Sequence, residues 1–251
     1  MRPEDPEAGR VPAPDASKDQ ATTVEFWQPK GGLDVRAYVA QEHKQGIHHL
    51  GRYTWALPIV ENRIRLLDIA CGAGYGSKLL ADAHPSLEVL GVDYDERAVE
   101  YARKHYSAPN LSYRAGNLVT WTTNDGAPLG RFDAIVSFDT LEHLLHREIA
   151  LIEIAENLTP DGMLLLSTPC GKPQDKLNPG WEHHKIEYSF HSLHNLLKRF
   201  FATVLHTGEG NLPNQAFWDE VINADKPRYL NRMNPVVCLQ PIQLRTAPNP
   251  G

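Results

Sequence analysis

Two short segments of the chain carry side chains that could act together in catalysis. The first is Asp139–His143, with the sequence DTLEH, which directly follows an apolar run ending at Phe138. The second is Trp181–Tyr188, with the sequence WEHHKIEY. Carboxylates combined with imidazoles are a suitable ligand set for a divalent metal such as Mg²⁺. In a metal-free site an imidazole could instead act as general base, since it titrates near neutral pH. The candidate metal ligands are Asp139, Glu142, His143 and His184, and the candidate bases are His143 and His184.

A glycine-rich turn earlier in the chain could bind a ligand. The stretch Leu66–Gly76, LLDIACGAGYG, is an apolar run followed by three closely spaced glycines. Glycines at a strand–helix turn let a ligand approach the backbone, and the helix start offers unpaired N–H groups. About 25 residues after Asp68, the next apolar run ends in Asp93, where a carboxylate can bind both hydroxyls of a ribose. The G-x-G-x-G spacing and the charge of Asp68, which would repel a pyrophosphate, favour a ribose ligand carrying an amino acid over a dinucleotide.

Alternating patterns from Arg65 onward indicate the fold class. Short apolar runs alternate with helical segments, which predicts an α/β fold with a mostly parallel sheet covered on both faces. Before them, the apolar positions of Ile47–Leu57 predict an amphipathic helix ending near Pro58. Two late apolar runs are expected to form an antiparallel hairpin at one edge. The predicted strands are Arg65–Ala70, Leu87–Val92, Leu111–Ala115, Phe132–Phe138, Gly162–Thr168, Thr203–Thr207 and Val236–Ile242, and the predicted helices are Tyr75–Ala83, Glu96–Tyr106, Arg147–Leu158 and Ser192–Phe200.

Composition limits the domain organisation and the partners. We predict a disordered tail over 1–22, an N-terminal helical cap over 23–63, and a catalytic domain over 64–245 with an insertion at about 208–232. The formal net charge of −6 disfavours nucleic acid as a partner and favours a small-molecule acceptor. No apolar run is long enough to cross a membrane, and three widely spaced cysteines fit a reduced, cytoplasmic protein. The oligomeric state stays open, with a homodimer among the alternatives.

Five ordered motifs carry a resemblance to a known family. The segments DIACGAGYG, GVDYDERAVEYA, AGNL, FDAIVSFDTLEHL and LTPDGMLLLSTP together resemble the class I S-adenosylmethionine-dependent methyltransferases, over roughly residues 47–205. The resemblance implies a Rossmann-like seven-stranded sheet with one antiparallel strand, and S-adenosylmethionine as the cofactor. It also implies that Asp68 lies at the methionine end of the cofactor, Asp93 at the ribose and Tyr94 at the adenine. The residues implied to contact the cofactor are Asp68, Ala70, Gly72, Gly74, Asp93, Tyr94, Asn117, Leu118 and Phe138.

The DTLEH motif is similar to motifs of two subfamilies. In the ubiquinone-biosynthesis O-methyltransferases an acidic-x-x-E-H motif binds magnesium. In the small-RNA 3′-terminal 2′-O-methyltransferases an E-x-x-E-H motif pairs with a histidine in a run like His184–Tyr188. Here Asp139 stands where those families have glutamate, and its shorter side chain makes direct ligation an open question. Metal-free members of the larger family also carry E-H at this place, so a substrate-contacting role and a structural role for His143 remain alternatives.

These observations lead to one predicted function and three alternatives. We predict transfer of a methyl group to a hydroxyl of a small-molecule acceptor, a specialised metabolite or a sugar-like compound. The first alternative is metal-dependent 2′-O-methylation of an RNA 3′ end. The second is N-methylation of an amino sugar, and the third is an inactive cofactor-binding partner of another enzyme.

Overall fold

The computed structural model describes residues 44–172, 174–179, 183–206 and 236–244. The predicted tail over 1–22, the first part of the cap over 23–43 and the insertion at about 208–232 lie outside the described residues. The helices are α1 (Lys44–Val60), α2 (Tyr75–Ala83), α3 (Glu96–His105), α4 (Arg147–Asn157) and α5 (Phe190–Lys198). The strands are β1 (Arg65–Ile69), β2 (Glu88–Asp93), β3 (Leu111–Asn117), β4 (Thr122–Thr123), β5 (Phe132–Phe138), β6 (Leu158–Ser167), β7 (Cys170–Lys172), β8 (Lys176–Leu177), β9 (Ile186–Ser189), β10 (Phe201–His206) and β11 (Val236–Pro241).

The central sheet confirms the predicted α/β class. Its strand order is β10-β11-β6-β5-β1-β2-β3-β4. The pairs β6–β5, β5–β1, β1–β2 and β2–β3 are parallel, whereas β11 runs antiparallel to both of its neighbours. Seven strands therefore form the expected mostly parallel sheet with one antiparallel member, and the two-residue β4 extends it beside β3.

The late strands form the predicted antiparallel pair at one edge of the sheet. Strand β11 lies inside the sheet, between β6 and β10, so β10 is the edge strand. The burial of the first three residues of β11, Val236–Cys238, explains this position. An apolar strand start of this kind is stabilised by hydrogen-bonded neighbours on both sides, which an edge does not provide.

Two apolar layers hold the helices against the sheet. One layer joins α1, α2 and α3 to one face, through residues such as Ala56, Leu80 and Val99. The other joins α4 and α5 to the opposite face, through residues such as Leu151 and Leu197. Alternate residues of a strand contribute to opposite layers because successive side chains point to opposite faces.

Helix α1 ends slightly later than predicted. It includes Pro58 in its last turn and continues to Val60. Proline removes one backbone donor, but Val60 and Ala56 are fully buried against the sheet, and this packing stabilises the last turn. No helix among the described residues has the length and apolar character needed to cross a membrane.

Candidate active site

The glycine turn after β1 is shaped by close packing within the protein. Gly72 and Gly74 both have left-handed backbone conformations, with φ of 54° and 84°. A Cβ atom at Gly74 would lie 2.5 Å from the Cβ of Ala102 and 2.9 Å from the ring of Tyr113. The Tyr113 hydroxyl also donates a hydrogen bond to the Gly74 carbonyl, at 2.8 Å. Glycine is therefore required at position 74 by the backbone conformation and by contact with α3 and β3.

Asp68 connects α1 to the turn. Its side chain is fully buried and accepts hydrogen bonds from the hydroxyls of Tyr53, at 3.1 and 3.3 Å, and Ser77, at 2.6 Å. Burial raises the pKa of Asp68 to about 7, although both hydrogen bonds act in the opposite direction. In this arrangement the carboxyl group organises the turn, and its contact with the methionine end of a cofactor stays a prediction.

Asp93 stands at the end of β2, opposite the turn. One carboxylate oxygen accepts the N–H of Gly72 at 2.8 Å, and the other accepts the N–H of Asp95 at 2.9 Å. Burial raises the pKa of this carboxyl group. The next residue, Tyr94, exposes 46% of its surface. An oriented carboxylate beside an exposed aromatic ring fits the ribose and adenine of S-adenosylmethionine.

The remaining predicted cofactor residues surround this region. Ala70 has a left-handed φ of 62° directly before the glycines. The amide oxygen of Asn117 accepts the N–H of Val119 at 2.8 Å, and one lone pair of that oxygen remains for an adenine amino group. Leu118 is buried. The roles of these residues at the cofactor stay predictions.

The end of β5 is covered by α1. The ring of Phe138 meets the ring of Tyr53 edge-on, with centroids 5.0 Å apart. The following residue, Asp139, has a left-handed φ of 54°. Its carboxylate forms an ion pair with Arg52 and accepts a hydrogen bond from the Ser167 hydroxyl at 2.9 Å. Asp139 is thus held between α1 and the end of β6.

Three of the four predicted metal ligands converge beyond β5. Glu142, His143 and His184 each offer one ligand atom, and these atoms lie within 4.8 Å of one another. We call these residues the E-H-H group. The carboxylate of Asp139 does not belong to this cluster of ligand atoms, since it is paired with Arg52. Direct metal ligation by Asp139 therefore stays a prediction.

Backbone contacts bring the two segments of the group together. The short 3₁₀ turn Leu141–His143 follows β5, and His184 of the second segment lies two residues before β9. The N–H of Lys185 donates to the Glu142 carbonyl at 2.7 Å, and Nδ1 of His143 lies 3.0 Å from the His183 carbonyl. Strand β9 in turn pairs with β7 and β8 in a second, three-stranded sheet. This small sheet holds β9, and with it the preceding residues His184 and Lys185, next to the end of β5.

Burial shifts the pKa values of Glu142 and His143 in opposite directions. Glu142 is fully buried; Oε2 accepts a hydrogen bond from the Thr168 hydroxyl at 2.7 Å, while Oε1 has no hydrogen-bond partner among the described residues. Burial, with a smaller effect of the nearby Asp139 charge, raises the pKa of Glu142 to about 8. Burial lowers the pKa of His143 to about 4. An unpaired buried carboxyl oxygen beside a neutral imidazole fits a site for a divalent cation, whose charge would stabilise the ionised carboxylate.

A cavity lies outside this group, and none of the three E-H-H side chains lines it. Its volume is about 560 Å³, and it is bordered by the start of α4, by β9 and by α5. Its lining includes Leu145, Arg147, Ile186 and Tyr188, a mixture of apolar and polar side chains. Because no residue of the glycine turn lines it, this cavity is separate from the predicted cofactor site.

Sequence reasoning missed several contacts of the site. Thr168, which binds Glu142, was only the end of a predicted strand, and Ser77 and the Tyr53–Asp68 contact were not identified. A hydroxyl residue directly after a strand end was the only available signal for Thr168. The Tyr53 contact joins residues from separate elements, and local spacing does not predict such pairs.

Comparison with known proteins identifies the family. A family model described as a methyltransferase domain matches residues 36–206. The chain belongs to this methyltransferase family. S-adenosylmethionine is the cofactor implied by the match, and the turn, Asp93 and Tyr94 described above fit it.

Individual relatives agree with this assignment. The chain is 35% identical over 137 residues to a probable S-adenosylmethionine-dependent methyltransferase of Mycobacterium tuberculosis, covering 55% of this chain and 44% of that protein. It is 29% identical over 175 residues to a ubiquinone biosynthesis O-methyltransferase of a Chelativorans species, covering 65% of each. The match to the mycobacterial relative thus spans less than half of that protein's length.

A solved structure shares the fold. The plantazolicin methyltransferase BpumL in complex with S-adenosylhomocysteine matches with a TM-score of 0.56 and 12% identity, covering 82% of this chain and 88% of that one. At this identity the likeness concerns the fold alone. It supports the Rossmann-like arrangement of the methyltransferase domain.

Proposed function

We propose that this chain transfers the methyl group of S-adenosylmethionine to a hydroxyl oxygen of a small-molecule acceptor. The observation that carries the proposal is the convergence of Glu142, His143 and His184 directly beyond the end of β5. A hydroxyl is a weak nucleophile, so its methylation needs groups that orient it and remove its proton. The similarity to an O-methyltransferase over 65% of the chain supports an oxygen acceptor.

The E-H-H group would act on the acceptor oxygen. Held by these three side chains, a divalent cation would bind that oxygen and lower its pKa. The imidazole of His143 is suited to ligation because burial lowers its pKa to about 4, so it is neutral at pH 7. The low pKa also makes His143 a weak base without a metal, and His184 is then the other candidate base.

The transfer itself is an in-line displacement. A new C–O bond forms as the S–C bond to the methyl group breaks, and S-adenosylhomocysteine leaves. The chain's contribution is to align the two partners. Phe138 and Tyr53, packed edge-on at the end of β5, would form an apolar wall beside the glycine turn, where the Tyr53 hydroxyl contacts Asp68. Such a wall would exclude water from the reacting atoms.

The charge of the chain favours a small acceptor over RNA. A terminal ribose of RNA presents vicinal hydroxyls that the E-H-H group could equally bind. The formal net charge of −6, however, opposes binding of a polyanion. A small acceptor with vicinal oxygens, such as a catechol or a diol, avoids this repulsion.

Calorimetric titration of Mg²⁺ and Mn²⁺ into protein saturated with S-adenosylhomocysteine tests the metal role. We expect saturable binding that is lost in His184→Ala. The matched control is His191→Ala, because His191 is an exposed histidine outside the group. Binding that survives in His184→Ala, or no binding in the unchanged protein, would contradict a metal at this group.

A panel of acceptors tests the rest of the proposal. Catechol, a sugar diol, an amino sugar and a short RNA are incubated with S-adenosylmethionine, and S-adenosylhomocysteine release is measured. We expect S-adenosylhomocysteine release with catechol and with the sugar diol. We expect none with RNA and no methylation of the amino nitrogen of the amino sugar. Turnover with the amino sugar alone, with the methyl group found on its nitrogen, would replace the oxygen acceptor by nitrogen, and turnover with RNA alone would overturn the small-molecule assignment.

A further inference from the structure

Both histidines of the E-H-H group are contacted on the same ring nitrogen. Nδ1 of His143 lies 3.0 Å from the carbonyl oxygen of His183. Nδ1 of His184 lies 3.4 Å from Oε1 of Glu187. The two histidines thus share one pattern, in which an oxygen outside the group faces Nδ1.

The chemistry of these oxygens determines where each imidazole carries its proton. A carbonyl oxygen and an ionised carboxylate only accept hydrogen bonds. In a neutral ring Nδ1 is therefore the protonated nitrogen of both histidines, which leaves the lone pair on Nε2. For His143 this places the lone pair toward Glu142, since Nε2 lies 3.9 Å from Oε1 of Glu142. A metal ligand needs such a lone pair.

We propose that Glu187 is a positioning residue that fixes the tautomer and the ring orientation of His184. The proposal rests on the proposed function, because it concerns the same group. Glu187 itself lies outside the cluster of ligand atoms and would act only through His184. Carboxylates that hold the second nitrogen of a ligating histidine commonly have this role.

The local structure holds Glu187 in place independently of its side chain. It lies in β9, which pairs with β7 on one side and with β8 on the other, where Lys176 is the register partner of Glu187. Its neighbours Ile186 and Tyr188 are buried, whereas the Glu187 side chain is only partly buried, at 20% exposure. Substitutions of Glu187 should therefore leave the strand and its anchoring intact.

Three variants separate positioning from a general structural effect. Glu187→Ala removes the acceptor for Nδ1 of His184. Glu187→Gln keeps an amide oxygen that can accept the same hydrogen bond but removes the charge. The control is Glu148→Gln, which removes only an exposed ion pair with Arg199.

The first readout is the tautomer of His184, measured without metal by long-range ¹H–¹⁵N correlation spectra. We expect the Nδ1–H form in the unchanged protein, in Glu187→Gln and in Glu148→Gln. In Glu187→Ala we expect a mixture of tautomers. An unchanged His184 spectrum in Glu187→Ala would overturn the proposal.

The second readout is the affinity for Mn²⁺, measured by calorimetry with S-adenosylhomocysteine bound. Loss of a partner of this kind typically lowers metal affinity by about 10- to 100-fold, and we expect this in Glu187→Ala. We expect a smaller loss in Glu187→Gln and none in Glu148→Gln. A loss in Glu187→Ala without a tautomer change would contradict positioning, because the effect would then be electrostatic.

The two readouts also separate failure of this proposal from failure of the proposed function. If the unchanged protein binds no metal, the metal role fails, and the tautomer spectra alone decide the role of Glu187. If metal binds and the spectra and affinity of Glu187→Ala match those of Glu148→Gln, the metal role stands and the positioning role falls.

Discussion

At the residue scale, Asp93 is the site residue whose role is most directly testable. Both of its carboxylate oxygens are oriented by backbone N–H groups, at 2.8 and 2.9 Å. We expect Asp93→Ala to weaken S-adenosylhomocysteine binding by about 10-fold or more, because charge-assisted hydrogen bonds to the ribose are lost. Calorimetry measures the affinity. Asp82→Ala, which removes an exposed ion pair with Lys78, is the control, and equal affinities of the two variants would refute the ribose contact.

Residue types alone predicted part of the site. Asp93 and the glycines could be identified because a strand, a tight turn and a helix start follow one another within a short stretch. Glu142 and His143 could be identified as a pair because they are adjacent and shortly follow the predicted strand that ends at Phe138. Two long-range contacts had no local signal: the ion pair of Asp139 with Arg52 and the bond from Thr168 to Glu142. Those contacts depend on how α1 and β6 meet the end of β5, which spacing along the chain does not specify.

At the element scale, the third glycine of the turn is explained by helix packing. Gly76 lies in the first turn of α2, and a Cβ atom there would lie 2.0 Å from the ring of Tyr53 in α1. The Tyr53 ring is held by its bond to Asp68 and by Phe138, so it has little room to move. Glycine at position 76 therefore allows the close contact between α1 and α2. The G-x-G-x-G spacing alone does not distinguish this packing role from ligand binding.

A double-mutant cycle tests this explanation. Glycine to alanine inside a helix normally stabilises a protein by about 0.5–1 kcal/mol. We expect Gly76→Ala to destabilise this one instead, because the new methyl group displaces Tyr53. In the Tyr53→Ala background the same substitution should be neutral or stabilising. Urea unfolding gives the four free energies, and an additive cycle would refute the contact as the reason for glycine.

The sequence predicted where the helices and strands lie along the chain better than it predicted which strands pair. Short apolar runs and helical patterns located β1, β2, β5 and α2 to within a few residues. The antiparallel pair of β10 and β11 at one edge was predicted as well, but the pairing of β11 with β6 was not, because it joins segments about 70 residues apart and local pattern does not determine such pairing. The three-stranded sheet around β9 was missed for a related reason: its strands are two to four residues long, too short for a periodic signal.

At the scale of the whole molecule, the buried carboxyl groups should make stability depend on pH. Burial raises the pKa of Glu142 to about 8 and that of Asp68 to about 7, so the folded chain binds more protons than the unfolded chain near neutral pH. The stability that these groups contribute is present at low pH and is lost as pH rises through their folded pKa values. Buried histidines with lowered pKa, such as His143 and His206, act in the opposite direction, but only below about pH 6.5.

In the window from pH 6.5 to 8.5 the carboxyl groups therefore dominate the slope, and the buried thiols of Cys71 and Cys238, whose pKa values are raised by burial, add to it only near the upper end. In metal-free protein we expect the free energy of unfolding to fall across this window, with about 2 kcal/mol of the fall due to Glu142. Glu142→Gln should remove that part, because an amide does not titrate, while Glu148→Gln, at an exposed position, should leave it. Urea unfolding at several pH values measures the slope. If Glu142→Gln keeps the full slope, Glu142 is ionised in the folded protein near neutral pH, and a positively charged group must lie beside its Oε1.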